Sequence, residues 1–121
     1  MYLDKDAILN SLTIEDVIAI VQSLGSAEPK KDSNGNIIFQ TICHNEPNQA
    51  NSYKLYYYHE SSDKYQGRTF HCYSGCSESF GIVELVIRAN RVQGKTITWY
   101  KALKYIGTVT NKLMSLNAEQ I

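Results

Sequence analysis

Apolar positions change period along the chain, and each change marks a new element. Behind Asp4, Ala7, Ile8 and Leu12 predict a short helix over 4–12, with Asp4 as its N-cap. Ile14, Val17, Ile18, Val21 and Leu24 then recur at helical spacing. Thr13 stands three residues before Asp16 as in a capping box, and Gly25 supplies a stop, so this stripe is expected to face the core.

Residues 26–36 are polar, and Asn34-Gly35 predicts a hairpin turn with both central residues at positive φ. The β-branched run 36–42 and the tyrosine-rich run 53–59 read as strands, with Tyr53, Leu55 and Tyr57 on one side and Lys54, Tyr56 and Tyr58 on the other. Residues 44–52 form a loop, 60–67 a polar turn and 68–71 a third strand, giving three antiparallel strands.

Helical period returns with Phe80, Ile82, Val83, Leu85, Val86 and Ile87, and Ser77 or Ser79 is the expected N-cap. Thr98 caps a further helix carrying Trp99, Ala102, Leu103 and Ile106, closed by Gly107. Residues 108–121 read as a weaker helix or tail.

The result is an α+β class: a small antiparallel sheet in 28–79 between helical segments 1–25 and 80–121, treated as one domain of 121 residues. With 43% apolar and aromatic residues a core can form, but a chain this short benefits from a covalent or metal staple. The sequence holds no apolar run long enough to span a membrane and no signal-peptide pattern at its start, so a cytoplasmic protein with no membrane partner is expected.

Net charge is zero, yet unevenly spread. Residues 1–63 carry four Lys against nine Asp or Glu, and residues 64–121 carry eight Lys or Arg against three Glu. That asymmetry suits one face that approaches phosphates and another that repels them, although a solvated helical face gives the same pattern.

The three cysteines carry the chemistry. Cys43 is followed by His44, and His71-Cys72-Tyr73-Ser74-Gly75-Cys76 follows the predicted hairpin. Two short ligand pairs at adjacent strand ends, once joined by a sheet, supply the four soft or borderline donors of a structural Zn²⁺ site. Gly75 suits a tight knuckle that needs positive φ. Three buried free thiols, or a Cys–His nucleophile, are the competing readings. The second lacks an orienting third member and an oxyanion loop.

The string His44-Asn45-Glu46, an aromatic strand, Phe70-His71-Cys72-Tyr73-x-Gly75-Cys76 and a hydrophobic helix from Phe80 resembles the zinc ribbon of bacterial and phage DnaG-type DNA primases. The likeness spans residues 11–110, with the helix 14–24 and the segment 96–107 where that family has flanking helices. The family's ligands run Cys-x2-His and then Cys-x2-Cys. Here the last pair is Cys-x3-Cys, and the family's first cysteine falls on Thr41. The ligand set expected is Cys43, His44, Cys72 and Cys76. Adjacent residues of a regular strand face opposite ways, so Cys43 and His44 can both ligate only if the strand has already turned there; His71 is the substitute for His44.

The resemblance implies a domain that binds single-stranded DNA template during primer synthesis, while a separate polymerase domain performs catalysis. A primase polymerase domain or a replicative helicase would be its protein partners. Rings and cations on or near the ribbon are the candidate contacts: Lys54, Tyr56, Tyr58, Lys64, Arg68, Tyr73, Arg88 and Arg91. Two other functions compete. One is a stand-alone zinc-ribbon module that binds protein, its zinc purely structural; the other is a small Cys-dependent enzyme.

Overall fold

The computed structural model describes residues 2–47, 52–63 and 66–115. In chain order the elements are α1 (Lys5–Asn10), α2 (Ile14–Ser23), β1 (Lys30–Lys31), β2 (Ile37–Phe39), β3 (Leu55–Tyr58), β4 (Thr69–Cys72), β5 (Ser79–Phe80), α3 (Ile82–Val92) and α4 (Trp99–Thr110). The class is α+β, with helices at both ends of the chain and a five-stranded antiparallel sheet in the order β1-β2-β3-β4-β5.

Local chemistry sets the helix starts. Asp4 accepts from Ala7 N at 3.0 Å to cap α1. Thr13 and Asp16 form the reciprocal box that opens α2, with Asp16 N to Thr13 Oγ1 at 3.1 Å and Thr13 N to Asp16 Oδ2 at 2.9 Å. The cap of α3 differs from expectation. Ser79 is drawn into β5, where it pairs with His71, and the N-cap is Gly81, which makes no side-chain bond. Gly107 does not end α4. The helix runs on to Thr110 and closes on Asn111 in the left-handed conformation, φ 57°. Gly107 instead admits Leu113, whose Cδ1 would lie 2.9 Å from an added Cβ.

The sheet has two more strands than the sequence pattern predicts, because β1 and β5 are two-residue edges too short for any periodicity to register. Asn34-Gly35 does turn a hairpin, but only Gly35 has positive φ. The turn is a longer loop in which Asp32 Oδ1 accepts from the backbone N–H of Asn34 and Asn36, both at 2.9 Å.

Register divides the sheet into two faces. Across the inner face, Ile37, Tyr57, Phe70 and Phe80 align in one row, and Phe39, Leu55 and Cys72 in the next. Phe70 is fully buried, with ring centroids 4.7 Å from Tyr57 and 6.2 Å from both Phe39 and Phe80. This face joins the buried stripes Val17, Ile20 and Val21 of α2, Leu85 and Val86 of α3 and Leu103 and Ile106 of α4 in a single apolar cluster. The outer face carries Ile38, Tyr56, His71 and Ser79 in register. Among the described residues no helix is long and apolar enough to cross a membrane.

Candidate metal centre

The chain leaves β2 at Phe39 and β4 at Cys72 on the same end of the sheet, and the cysteines lie just there. After Phe39 the backbone turns about Thr41, which is fully buried. Its carbonyl accepts from His44 N at 3.3 Å and Asn45 N at 3.1 Å, and its hydroxyl accepts from Asn45 Nδ2 at 2.8 Å. This turn satisfies the condition that adjacent residues could not meet on a strand: Cys43 and His44 now point at one centre. Thr41 thus organises the turn.

The second pair comes from β4 and the knuckle beyond it. Cys72 ends the strand facing inward, and its N–H donates to Glu78 O at 3.1 Å, folding residues 73–78 back on themselves. Gly75 takes φ 84° in this knuckle and lies against the His44 ring.

The four ligand atoms of Cys43, His44, Cys72 and Cys76 all lie within 4.8 Å of one another. His44 Nδ1 is 3.3 Å from Cys43 Sγ, 3.7 Å from Cys72 Sγ and 3.4 Å from Cys76 Sγ, and the Cys43 and Cys76 sulfurs are 3.5 Å apart. With metal–sulfur bonds of about 2.3 Å and metal–nitrogen bonds of about 2.0 Å, a tetrahedron has S···S edges of about 3.8 Å and S···N edges of about 3.5 Å. These side chains are therefore near enough, and suitably spaced, to hold one metal ion.

Electrostatics point the same way. Burial pushes the Cys43 thiol far above its usual range, and the nearby Cys72 adds to it; Cys76 is also raised, chiefly by burial. An activated nucleophile needs the opposite shift and an open approach. Cys43 and Cys72 are buried, and neither the Cys43 nor the Cys76 thiol is shifted that way. A divalent cation would supply the positive charge that thiolates require here.

His71 is turned away from the centre. It alternates with inward-facing Phe70 and Cys72, bonds Ser79 Oγ through Nδ1 at 2.7 Å, and lies 4.3 Å from the Tyr73 ring. Of the two candidate histidines, the structure brings His44 to the cysteines.

The candidate nucleic-acid residues separate into distinct places. Tyr56, Tyr58 and Tyr73 form one aromatic group on the outer face, with Tyr56 edge-on to Tyr73 at 5.1 Å and the Tyr58 and Tyr73 hydroxyls 2.8 Å apart. Lys54 is exposed just before β3. Arg68 turns to the other side, where its guanidinium donates to the carbonyls of Leu9, Asn10 and Leu12 at the end of α1. Arg88 bonds Glu78 and Glu84 and lies 4.3 Å from the centre of the Phe80 ring. Arg91 is exposed in the last turn of α3, and Lys64 lies outside the described residues. Arg68 and Arg88 are thus engaged within the fold, which charge counting could not reveal.

No family model matches the chain, and no solved structure matches it. Among curated proteins it is similar to the SPbeta prophage-derived uncharacterized protein YorJ of Bacillus subtilis (strain 168), 42% identical over 112 residues. The match covers 93% of this chain and 28% of that protein, so the chain spans little more than a quarter of its relative's length.

Proposed function

We propose that Cys43, His44, Cys72 and Cys76 bind Zn²⁺ and that the chain is a primase-type zinc ribbon contacting single-stranded DNA template. The observation that carries this reading is the convergence of two ligand pairs, 28 to 33 residues apart in sequence, within 4.8 Å at one end of the sheet. Three thiolates and an imidazole favour zinc over harder cations, which prefer oxygen. The ion would hold the two strand ends in fixed register and supply no chemistry of its own to a substrate.

The outer tyrosine group supports the DNA part of the proposal. Ring faces on which bases stack contribute about 1 to 3 kcal/mol each, and Tyr73 is 44% exposed at the edge of the group. Catalysis would belong to a separate polymerase domain, for which the prophage relative has chain beyond the matched stretch.

A specific feature favours the second reading, a protein-binding module with a structural zinc. A cleft of about 350 Å³ lies among Leu9, Leu12, Val17, Ile82, Val83 and Trp99, with Arg68 and Glu84 also at its wall, and its mostly apolar lining suits a partner side chain.

Metal analysis of the chain alongside His44→Ala and His71→Ala tests the centre: zinc is expected at one equivalent in the parent and His71→Ala, and depleted in His44→Ala. Titration with single-stranded and duplex DNA, before and after chelation, tests the function. Metal-dependent, salt-sensitive affinity for the single strand supports the primase-type reading. One equivalent of zinc with no oligonucleotide binding at low salt leaves the protein-binding module.

A further inference from the structure

The apolar cleft of about 350 Å³ draws its wall from all four helices and from β3, and two residues of that wall are charged. Glu84 is already paired, with Arg88 Nε at 3.1 Å. Arg68 makes no ion pair among the described residues and remains exposed. Its guanidinium is nevertheless fixed. Nη1 donates to the carbonyls of Leu9 and Leu12 at 3.2 and 2.7 Å, and Nη2 to that of Asn10 at 3.2 Å. Arg68 also adopts φ 59°, a left-handed conformation uncommon outside glycine. The wall is left with an uncompensated positive charge.

Gly81 lies in the same wall, where it has only backbone to offer. It caps α3 without a side-chain bond, and the N–H groups of Ile82, Val83 and Glu84 make no hydrogen bond among the described residues. Trp99, the first residue of α4, completes the wall and is 46% exposed. Capping of α1 accounts for the carbonyl bonds of Arg68, and water accounts for bare amides at a helix start. Neither accounts for a fixed cation, bare amides and a half-open indole meeting in one apolar cleft.

We infer that this cleft captures the C-terminus of a partner protein. Its last side chain, a leucine, isoleucine or phenylalanine, enters the apolar wall, and its carboxylate meets the Arg68 guanidinium and the first turn of α3. Charge complementarity selects this occupant. An apolar side chain alone leaves the cation unmatched, and a phosphate leaves the apolar wall unmatched; a chain end carries both parts on one residue. A small free acid carries them too, but a site for one encloses most of its ligand, whereas half-exposed Trp99 leaves a way out for the rest of a chain. The inference rests on the protein-binding reading of the cleft and names the part of the partner that enters it.

The test uses the zinc-loaded chain with short fluorescein-labelled peptides ending in leucine, isoleucine or phenylalanine, each as free acid and as C-terminal amide, and octanoate as the small-acid probe. Fluorescence anisotropy is expected to show the free acids binding at least about tenfold more tightly than the amides, the ratio for one charge-assisted bond. Arg68→Gln is expected to shrink that preference severalfold, and Trp99→Ala to weaken acid and amide alike. Both variants are checked for zinc content and melting temperature. Where Arg68→Gln does not fold, the acid-to-amide ratio of the parent chain decides.

Equal binding of acid and amide overturns the inference and leaves the protein-binding reading of the cleft standing. Binding of neither overturns both. An acid preference that Arg68→Gln leaves whole puts the carboxylate elsewhere and overturns the inference, and octanoate binding more tightly than every peptide overturns it in favour of a free apolar acid.

Discussion

Gly75 faces the His44 imidazole so closely that a Cβ at position 75 would lie 2.5 Å from Nε2 and 2.8 Å from Cδ2 and Cε1. The knuckle between Cys72 and Cys76 therefore backs the ring on one side while Nδ1 faces the cysteines on the other. Gly75→Ala must also adopt φ 84°, a conformation that disfavours a side chain. It is expected to cost more than about 1 kcal/mol of stability and to displace the imidazole. Competition with a chromophoric chelator should show weaker metal binding, whereas Gly35→Ala, at φ 83° in open space, should lose stability without losing metal affinity.

Metal removal should unfold the ribbon. Structural zinc in small domains contributes about 10 to 16 kcal/mol of apparent binding energy, comparable to or above the whole stability of a typical domain. Chelation is expected to abolish the cooperative thermal transition, followed by far-UV circular dichroism, and re-addition of zinc to restore it.

Arg88 links α3 to the metal knuckle through Glu78, whose carbonyl accepts from Cys72 N, while covering Phe80. Arg88→Met keeps the apolar stem but removes the guanidinium that orients Glu78. A drop in metal affinity of about tenfold or more is expected, as for other groups that support metal ligands. Equal loss of DNA affinity with unchanged metal affinity would return Arg88 to the DNA contacts.

Acid should act on the junction of α1, α2 and α4. Burial raises the Asp16 carboxyl, but its bonds to Lys112 and Thr13 outweigh that and hold it below the ordinary 3.8. A depressed folded value means the stabilisation is complete above the unfolded carboxyl's pKa and is lost as pH falls through the folded one. Asp16→Asn should cost about 1 kcal/mol at neutral pH, where the box and the ion pair are intact. Urea melts at pH 7 and at pH 3 should show the difference from the parent shrinking in acid.

Phe70 supports the sheet at its centre, touching aromatic rings on three sides from full burial. Phe70→Ala is expected to destabilise by about 3 to 5 kcal/mol, measured by denaturant unfolding of the zinc-loaded chain.

What the sequence determined by itself is whatever depends on near neighbours. Asp4, and Thr13 with Asp16, announce the first two helix starts because a cap is a bond over three residues. The alternation of Leu55 and Tyr57 with Tyr56 and Tyr58 announces a half-buried strand because successive side chains of an extended chain must face opposite ways. The composition of the Cys-His-Cys-Cys group was legible for the same reason, since each ligand pair lies within a few residues.

Tertiary structure decided whatever depends on residues far apart. The choice of His44 over His71 follows from the turn about Thr41 and the outward register of His71 against Tyr56 and Ser79. The diversion of Arg68 to carbonyls 56 to 59 residues away, and of Arg88 to Glu78, could not be read from charge. A cation's partner is set by which surfaces the core brings together, and that is fixed only when the apolar faces of sheet and helices are buried against one another.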